Sequence, residues 1–199
     1  EENRGLNTKA HFSKKQSETG NFKDNEDYEK YLEVLARYKE RYHYHLYAYV
    51  LMKNHVHLLI ETTDTPLSKI LQGINQTYTL YFNRKNKTIG HLFQRRYKAI
   101  LCDKDEYLLT LVKYIHGNPI RTKVGSEEPV GVSMEQPHAY VERTCLSNLV
   151  DIDQVLRMFS ENKNKARQLY KSYIDNRILV ARETIYCTEI REFWETNIL

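Results

Sequence analysis

Cysteine is scarce in this chain and shows no pairing pattern. Three of the 199 residues are cysteine, Cys102, Cys145 and Cys187, an odd number at wide spacing. That excludes a disulfide framework and a cysteine zinc site, and it points to a reducing compartment, the cytoplasm. Long apolar runs are missing too, because Lys, His or Tyr interrupts every hydrophobic stretch well short of a membrane span. No membrane partner is expected. Neither a secretory signal pattern, an internal repeat nor a low-complexity tract is present. The chain begins Glu1-Glu2-Asn3 without a methionine, which reads as a trimmed start.

Charged residues make up 28% and hydrophobic residues 41%, as in a soluble globular protein. The length suits one generous domain, or one domain with an added helical segment. A net charge of +4 and a pI of 8.8 permit a polyanion partner without requiring one. The distribution says more. Arg84, Lys85, Lys87, Arg95, Arg96 and Lys98 are interleaved with Tyr81, Phe82, His91, Phe93 and Tyr97. Cations for phosphates beside rings for stacking suit single-stranded nucleic acid, although a solvated loop between two core elements has the same composition.

Residues 1–23 are polar and aperiodic, and they read as a loop or arm with at most a short strand. Asp24 or Asn25 can cap a helix whose stripe is Tyr28, Tyr31, Leu32, Leu35, Tyr38 and Tyr42. A strand follows over 44–52 and another over 55–61. Thr65 is expected to cap the next helix with Pro66 in its first turn. Its stripe is Leu67, Ile70, Leu71, Ile74, Tyr78 and Tyr81, ending near Asn83. Gly73 inside that helix either weakens it or admits a close approach. A strand over 97–102 leads to a helix opened by Asp103, with Glu106 in the capping-box position, packed by Leu108, Leu111, Val112 and Ile115 and stopped at Gly117-Asn118-Pro119. The stretch from Thr122 to Asn148 is loop-like. Ile152, Val155, Leu156, Phe159, Ala166, Leu169, Tyr170 and Tyr173 then outline a helical tail, and 185–193 reads as a further amphipathic helix. The expected class is α+β, with helices against a small antiparallel sheet.

The central stretch is Tyr49-Val50-Leu51-Met52-Lys53-Asn54-His55-Val56-His57-Leu58-Leu59-Ile60-Glu61. Side chains alternate along a strand, so Val56, Leu58 and Ile60 share one face while His55 and His57 share the other. Two imidazoles so placed can converge on one metal ion. Alone, the pair also fits two surface histidines or an unrelated zinc or copper site. On the helix after Asp103, Tyr107, Tyr114 and Asn118 project along one side.

Three motifs in order carry a family resemblance. They are Tyr49-x-Leu51-Met52-x-Asn54-His55-x-His57-Leu58-Leu59, Gly90-His91-x-Phe93-Gln94-x-Arg96-Tyr97-Lys98, and Tyr107-Leu108 through Tyr114-Ile115 to Asn118-Pro119-Ile120-Arg121. The chain resembles the single-tyrosine HUH transposases, and within them the REP-associated tyrosine transposase group, over residues 24–121, with a weaker likeness over 149–175. The resemblance implies a ferredoxin-like antiparallel sheet with flanking helices over 1–121, followed by a loop and helical C-terminal extension over 122–199. It implies Tyr114 as the catalytic nucleophile, while Tyr107, on the same helix face, is the alternative. His55, His57 and Asn118 become ligands of Mg²⁺ or Mn²⁺, and Arg84, His91, Gln94, Arg95, Arg96, Lys98 and Arg121 become DNA contacts.

The implied activity is cleavage and rejoining of single-stranded DNA beside a hairpin, REP-like or from an insertion-sequence end, through a 5′-phosphotyrosine link. The REP-associated group further implies a monomer. Two other readings fit the same residues. One is a hairpin-binding module without catalysis, and the other is an unrelated metal hydrolase using His55, His57 and a carboxylate such as Glu61. The chain departs from the family at Arg4-Gly5-Leu6-Asn7, where an Arg-Gly-Asn turn is usual, over the long stretch Ala10 to Gly20, and at Pro137-His138-Ala139-Tyr140, where a Trp-Ser-Ser-Tyr segment is common.

Overall fold

A computed structural model describes residues 9–15, 22–52, 55–93, 98–101, 108–113, 115 and 149–178. The chain divides into two compact units, Glu1–Val155 and Leu156–Leu199.

The first unit is built on four strands, β1 (Lys9–Lys15), β2 (His45–Met52), β3 (His55–Glu61) and β4 (Lys98–Leu101). They form one sheet in the order β2-β3-β1-β4, with every pairing antiparallel. Helix α1 (Asn25–Tyr42) connects β1 to β2, and α2 (Leu67–Asn86) connects β3 to β4. This βαββαβ order is the ferredoxin-like arrangement. The N-terminal arm thus holds the short strand that its sequence allowed, and that strand is not a marginal one. Lys9–Lys15 is an inner strand, paired with β3 on one side and β4 on the other. Only Ala10 and Phe12 are apolar within it, too few to show a period-two pattern among so many lysines.

Local chemistry sets the helix ends. Asp24 caps α1 by accepting the Asp27 N–H at 3.1 Å, and Glu26 and Asp27 occupy the positive first turn. Thr65 does not cap α2. Pro66 is the N-cap in extended backbone, and its carbonyl accepts from Lys69 and Ile70. The helix thus starts at Leu67 and runs on to Asn86, where left-handed Lys87 returns its N–H to Asn83.

The two helices pack antiparallel. A Cβ on Gly73 would fall on the Tyr38 ring, so the glycine admits the close approach, and the Tyr38 hydroxyl is 2.9 Å from Thr77 Oγ1. At the opposite end Lys85 meets Asp24, Glu26 and Asp27. Between them Phe22, Tyr28, Tyr31, Tyr78, Phe82 and Phe93 form an aromatic core. Tyr38 and Tyr42, from the same sequence stripe, are only half-buried.

A helical run at 108–113 and 115, here α3, buries Leu108, Leu111, Val112 and Ile115. The segment at 149–151 meets the outer edge of β2 at Leu46. Asp151 exchanges hydrogen bonds with Leu46, through its own N–H to the Leu46 carbonyl and through its carboxylate to the Leu46 N–H. It also receives Lys39 at 2.8 Å. Helix α4 (Ile152–Arg157) follows.

In the second unit α5 (Lys163–Ile178) buries Ala166, Tyr170 and Ile174, and Phe159 meets the rings of Tyr170 and Tyr173 edge-on. Leu169, expected within that stripe, is exposed. The amphipathic helix expected over 185–193 lies outside the described residues. Among the described residues no helix is long and apolar enough to cross a membrane.

Candidate nucleic-acid active site

β3 is an inner strand with both faces covered. Val56, Leu58 and Ile60 are fully buried, and so is Leu59 on the histidine face. His57 shares that second face and is only 6% exposed, so it is not a surface histidine. Burying an imidazole is costly without polar company, and His57 is not without an interaction partner.

The register defines its surroundings. His57 pairs with Val50 on β2 and with Ser13 on β1, and Ser13 in turn pairs with Lys98 on β4. These four positions form one row across the sheet. Two residues along, His55 pairs with Met52 and Lys15, so the histidine positions occupy adjacent rows of one face, about 7 Å apart along the strand. Ser13 and Lys15 are site positions that sequence reasoning missed. No period-two signal marks them, because Lys14 interrupts the alternation that Ala10 and Phe12 begin.

Glu61 does not join the histidines. It lies about 13 Å along the strand from His57, and it accepts the hydroxyl of Tyr47, the residue bulged out between Leu46 and Ala48. Among the described residues no three His, Cys, Asp or Glu side chains gather as a metal site. Glu61 is therefore not placed to be the carboxylate ligand in the hydrolase reading.

The tyrosines can be sorted by burial. Tyr28, Tyr31, Tyr44, Tyr47, Tyr49, Tyr78 and Tyr170 are almost wholly buried. Burial, with Asp27 nearby, pushes the Tyr28 hydroxyl up to about 12. Burial likewise pushes Tyr31, Tyr44 and Tyr78 up. A phenol that resists ionisation and is shielded from solvent is a poor nucleophile, so these core residues drop out. Tyr114, Tyr107 and Asn118 lie outside the described residues, as do Gln94, Arg95, Arg96 and Arg121. Tyr114 is flanked in the chain by helical Lys113 and Ile115.

Of the basic cluster, Arg84 and His91 are exposed, and Lys98 has its backbone in β4. Lys85, a member of the basic cluster that is not among the expected DNA contacts, faces carboxylates instead. Its ammonium is committed to three carboxylates, with distances of 2.7 Å to Asp24, 3.0 Å to Glu26 and 2.9 Å to Asp27.

Comparison with known proteins agrees with this architecture. Residues 7–118, more than half of the chain, match the family described as "Transposase IS200 like". Among solved structures, a REP-associated tyrosine transposase bound to a REP hairpin superposes with a TM-score of 0.51 at 15% identity, covering 58% of this chain and 68% of that one. A candidate transposase from Deinococcus radiodurans R1 matches with a TM-score of 0.42 at 13% identity, over 59% of this chain and 95% of that one. A search of curated proteins gave no significant match. The first of these structures shares the ferredoxin-like fold, and by the family match the chain belongs to the IS200-like transposases.

Proposed function

We propose that this chain cleaves single-stranded DNA beside a hairpin and rejoins it through a 5′-phosphotyrosine intermediate on Tyr114. The observation that carries the reading is His57, buried on the covered face of the inner strand, with His55 one row away on that face. In a family of transposases, such a pair suits phosphodiester transfer to a tyrosine of the same chain.

The donor set fits a hard divalent ion with open positions. His55 and His57 offer imidazole nitrogen and Asn118 an amide oxygen, which suits Mn²⁺ or Mg²⁺. When bound, such an ion polarises the scissile phosphate and steadies charge on its oxygens. The chain's own groups do the rest. The Tyr114 hydroxyl gives its proton to a base and its oxygen bonds to phosphorus. The bond from phosphorus to the 3′ oxygen breaks, and that oxygen takes a proton to become a free 3′-hydroxyl. The protein keeps the 5′ phosphate as a phosphodiester, so attack by another 3′-hydroxyl restores a DNA strand and frees the tyrosine without an external energy source.

Arg84, His91, Gln94, Arg95, Arg96, Lys98 and Arg121 are proposed to hold the backbone, since cations fix the register of nucleic acid through its phosphates. The partner is proposed to be a single strand carrying a REP-like or insertion-sequence hairpin, met in the cytoplasm by a monomeric protein. A denaturing gel tests this reading with a labelled pool of hairpin-bearing single strands, Mn²⁺ or Mg²⁺ against EDTA, and Tyr114→Phe beside Tyr107→Phe. A metal-dependent covalent adduct lost only in Tyr114→Phe is expected. Loss only in Tyr107→Phe moves the nucleophile. Hairpin binding without any adduct replaces the enzyme with a binding module.

A further inference from the structure

The turn that follows α2 is built as carefully as a cap, yet it presents an apolar side chain to solvent. Ile89 is 101% exposed. Isolated surface hydrophobes are ordinary, but the chain around this one is held from both sides by Asn83. The Asn83 amide donates to the Gly90 carbonyl at 2.9 Å. Its side-chain oxygen accepts the Thr88 hydroxyl at 3.0 Å, and its carbonyl accepts the N–H groups of Lys87 and Thr88. Lys87 at φ 53 and Gly90 at φ 110 supply the left-handed backbone the turn requires. Ile89 therefore stands on a preset loop.

Charge around the loop identifies what could meet it. From Thr65 to Cys102 the sequence contains no Asp or Glu, while it carries Lys69, Arg84, Lys85, Lys87, Arg95, Arg96 and Lys98. The outward face of α2 leads through Gln76, Leu80 and Arg84, four residues apart, to Lys87 and Ile89. All five are exposed, Leu80 at 65%. Among the described residues neither Arg84 nor Lys87 has an ion-pair partner. The nearby carboxylates of Asp24 and Glu26 are turned onto Lys85. Basic and amide side chains flanking one exposed aliphatic group are complementary to a nucleic-acid stack. Phosphates take the cations, and an apolar wedge seats against an unstacked base.

We propose that Ile89 is a wedge that packs on the exposed base face where the hairpin stem meets its unpaired flank, with Arg84 and Lys87 on the adjoining phosphates and Asn83 as the positioning residue. This rests on the reading of the chain as hairpin-directed.

The test places 2-aminopurine at the stem–flank junction of a labelled hairpin and measures binding in EDTA, so that no strand is cut. The parent protein is expected to change the 2-aminopurine fluorescence. Ile89→Ala is expected to abolish that change and weaken hairpin binding about tenfold while leaving the salt dependence as it was. Arg84→Ala should keep the fluorescence change and lower the salt slope by about 0.9. Asn83→Ala should weaken binding in the parent and add little once Ile89 is alanine.

Unchanged affinity and fluorescence in Ile89→Ala overturn the wedge, and so does a variant whose only change is in self-association on a sizing column. If the parent still forms the Tyr114 adduct in those cases, only the wedge falls. A parent that binds no hairpin overturns both readings together.

Discussion

Lys85 Nζ, near the end of α2, lies 2.9 Å from Oδ1 of Asp27 in the first turn of α1. The aspartate is completely buried. Its other partners are the Lys23 N–H at 2.8 Å and the Tyr81 hydroxyl at 3.4 Å. One cation thus joins the two helices at the end opposite Gly73.

Replacing Lys85 with Met should leave a buried carboxylate short of its counter-charge and cost about 2 kcal/mol in urea unfolding, less than a fully enclosed pair because the lysine is partly exposed. The pH dependence has a definite sign. The hydrogen bond from Lys85 holds the Asp24 carboxyl below its ordinary 3.8, so its stabilisation is complete above that value and lost as pH falls through the lowered one. Burial works to lower the Lys85 value, but its hydrogen bonds to Asp24, Asp27 and Glu26 outweigh that and raise it above the ordinary 10.5. Its stabilisation is therefore complete below 10.5 and lost as pH rises through the raised value. Lys85→Met should flatten both limbs of the stability profile, and equal slopes in parent and variant would contradict the linkage.

Gly73→Ala should destabilise even though alanine favours helix. The new Cβ meets the Tyr38 ring, which is held by Thr77, and overpacking of about 1–3 kcal/mol exceeds the helix gain of about 1 kcal/mol. Tyr38→Ala in the same chain should remove the clash and recover part of the loss in a thermal melt. A simple sum of the two single effects would show that the residues do not compete for this space.

Tyr31 is wholly buried, and among the described residues its hydroxyl has no hydrogen-bond partner. Tyr31→Phe should therefore raise stability by about 1 kcal/mol, since an unpaired buried hydroxyl only incurs desolvation. Adduct formation should not change. A lower denaturation midpoint would mean that the hydroxyl is satisfied in solution.

Asp151 holds the 149–151 segment to β2 through Leu46 and to α1 through Lys39. In Asp151→Ala the Leu46 amide should exchange with solvent at least about tenfold faster, because a paired edge amide becomes an open one. Protection equal to the parent would show that the edge is closed by something else.

Periodicity made much of this fold legible. The tyrosine stripe of α1, the alternation of β3 and the apolar stripe of α2 each carried enough large residues to set the element and its buried face. β1 was legible only as a short strand allowed within a loop-like arm, because an inner strand made largely of Lys, His and Ser gains its place from its neighbours rather than its own hydrophobicity. Pro66 was misplaced by one residue because a proline fits both the cap and the first turn, and only its backbone angle decides. The fate of Lys85 was hidden because Asp24 and Asp27 lie some sixty positions away in the chain. The alternation that puts His55 and His57 on one face could be read directly. That the face is covered could not, because burial depends on what packs over it.

The most direct test of the central claim is mass spectrometry of the protein after reaction with a single hairpin-bearing strand and Mn²⁺. The account predicts a mass gain equal to the 5′-phosphorylated downstream fragment, located by peptide mapping on Tyr114 and absent in His57→Ala. A modified peptide that excludes Tyr114, or cleaved DNA with no mass gain on the protein, would contradict it.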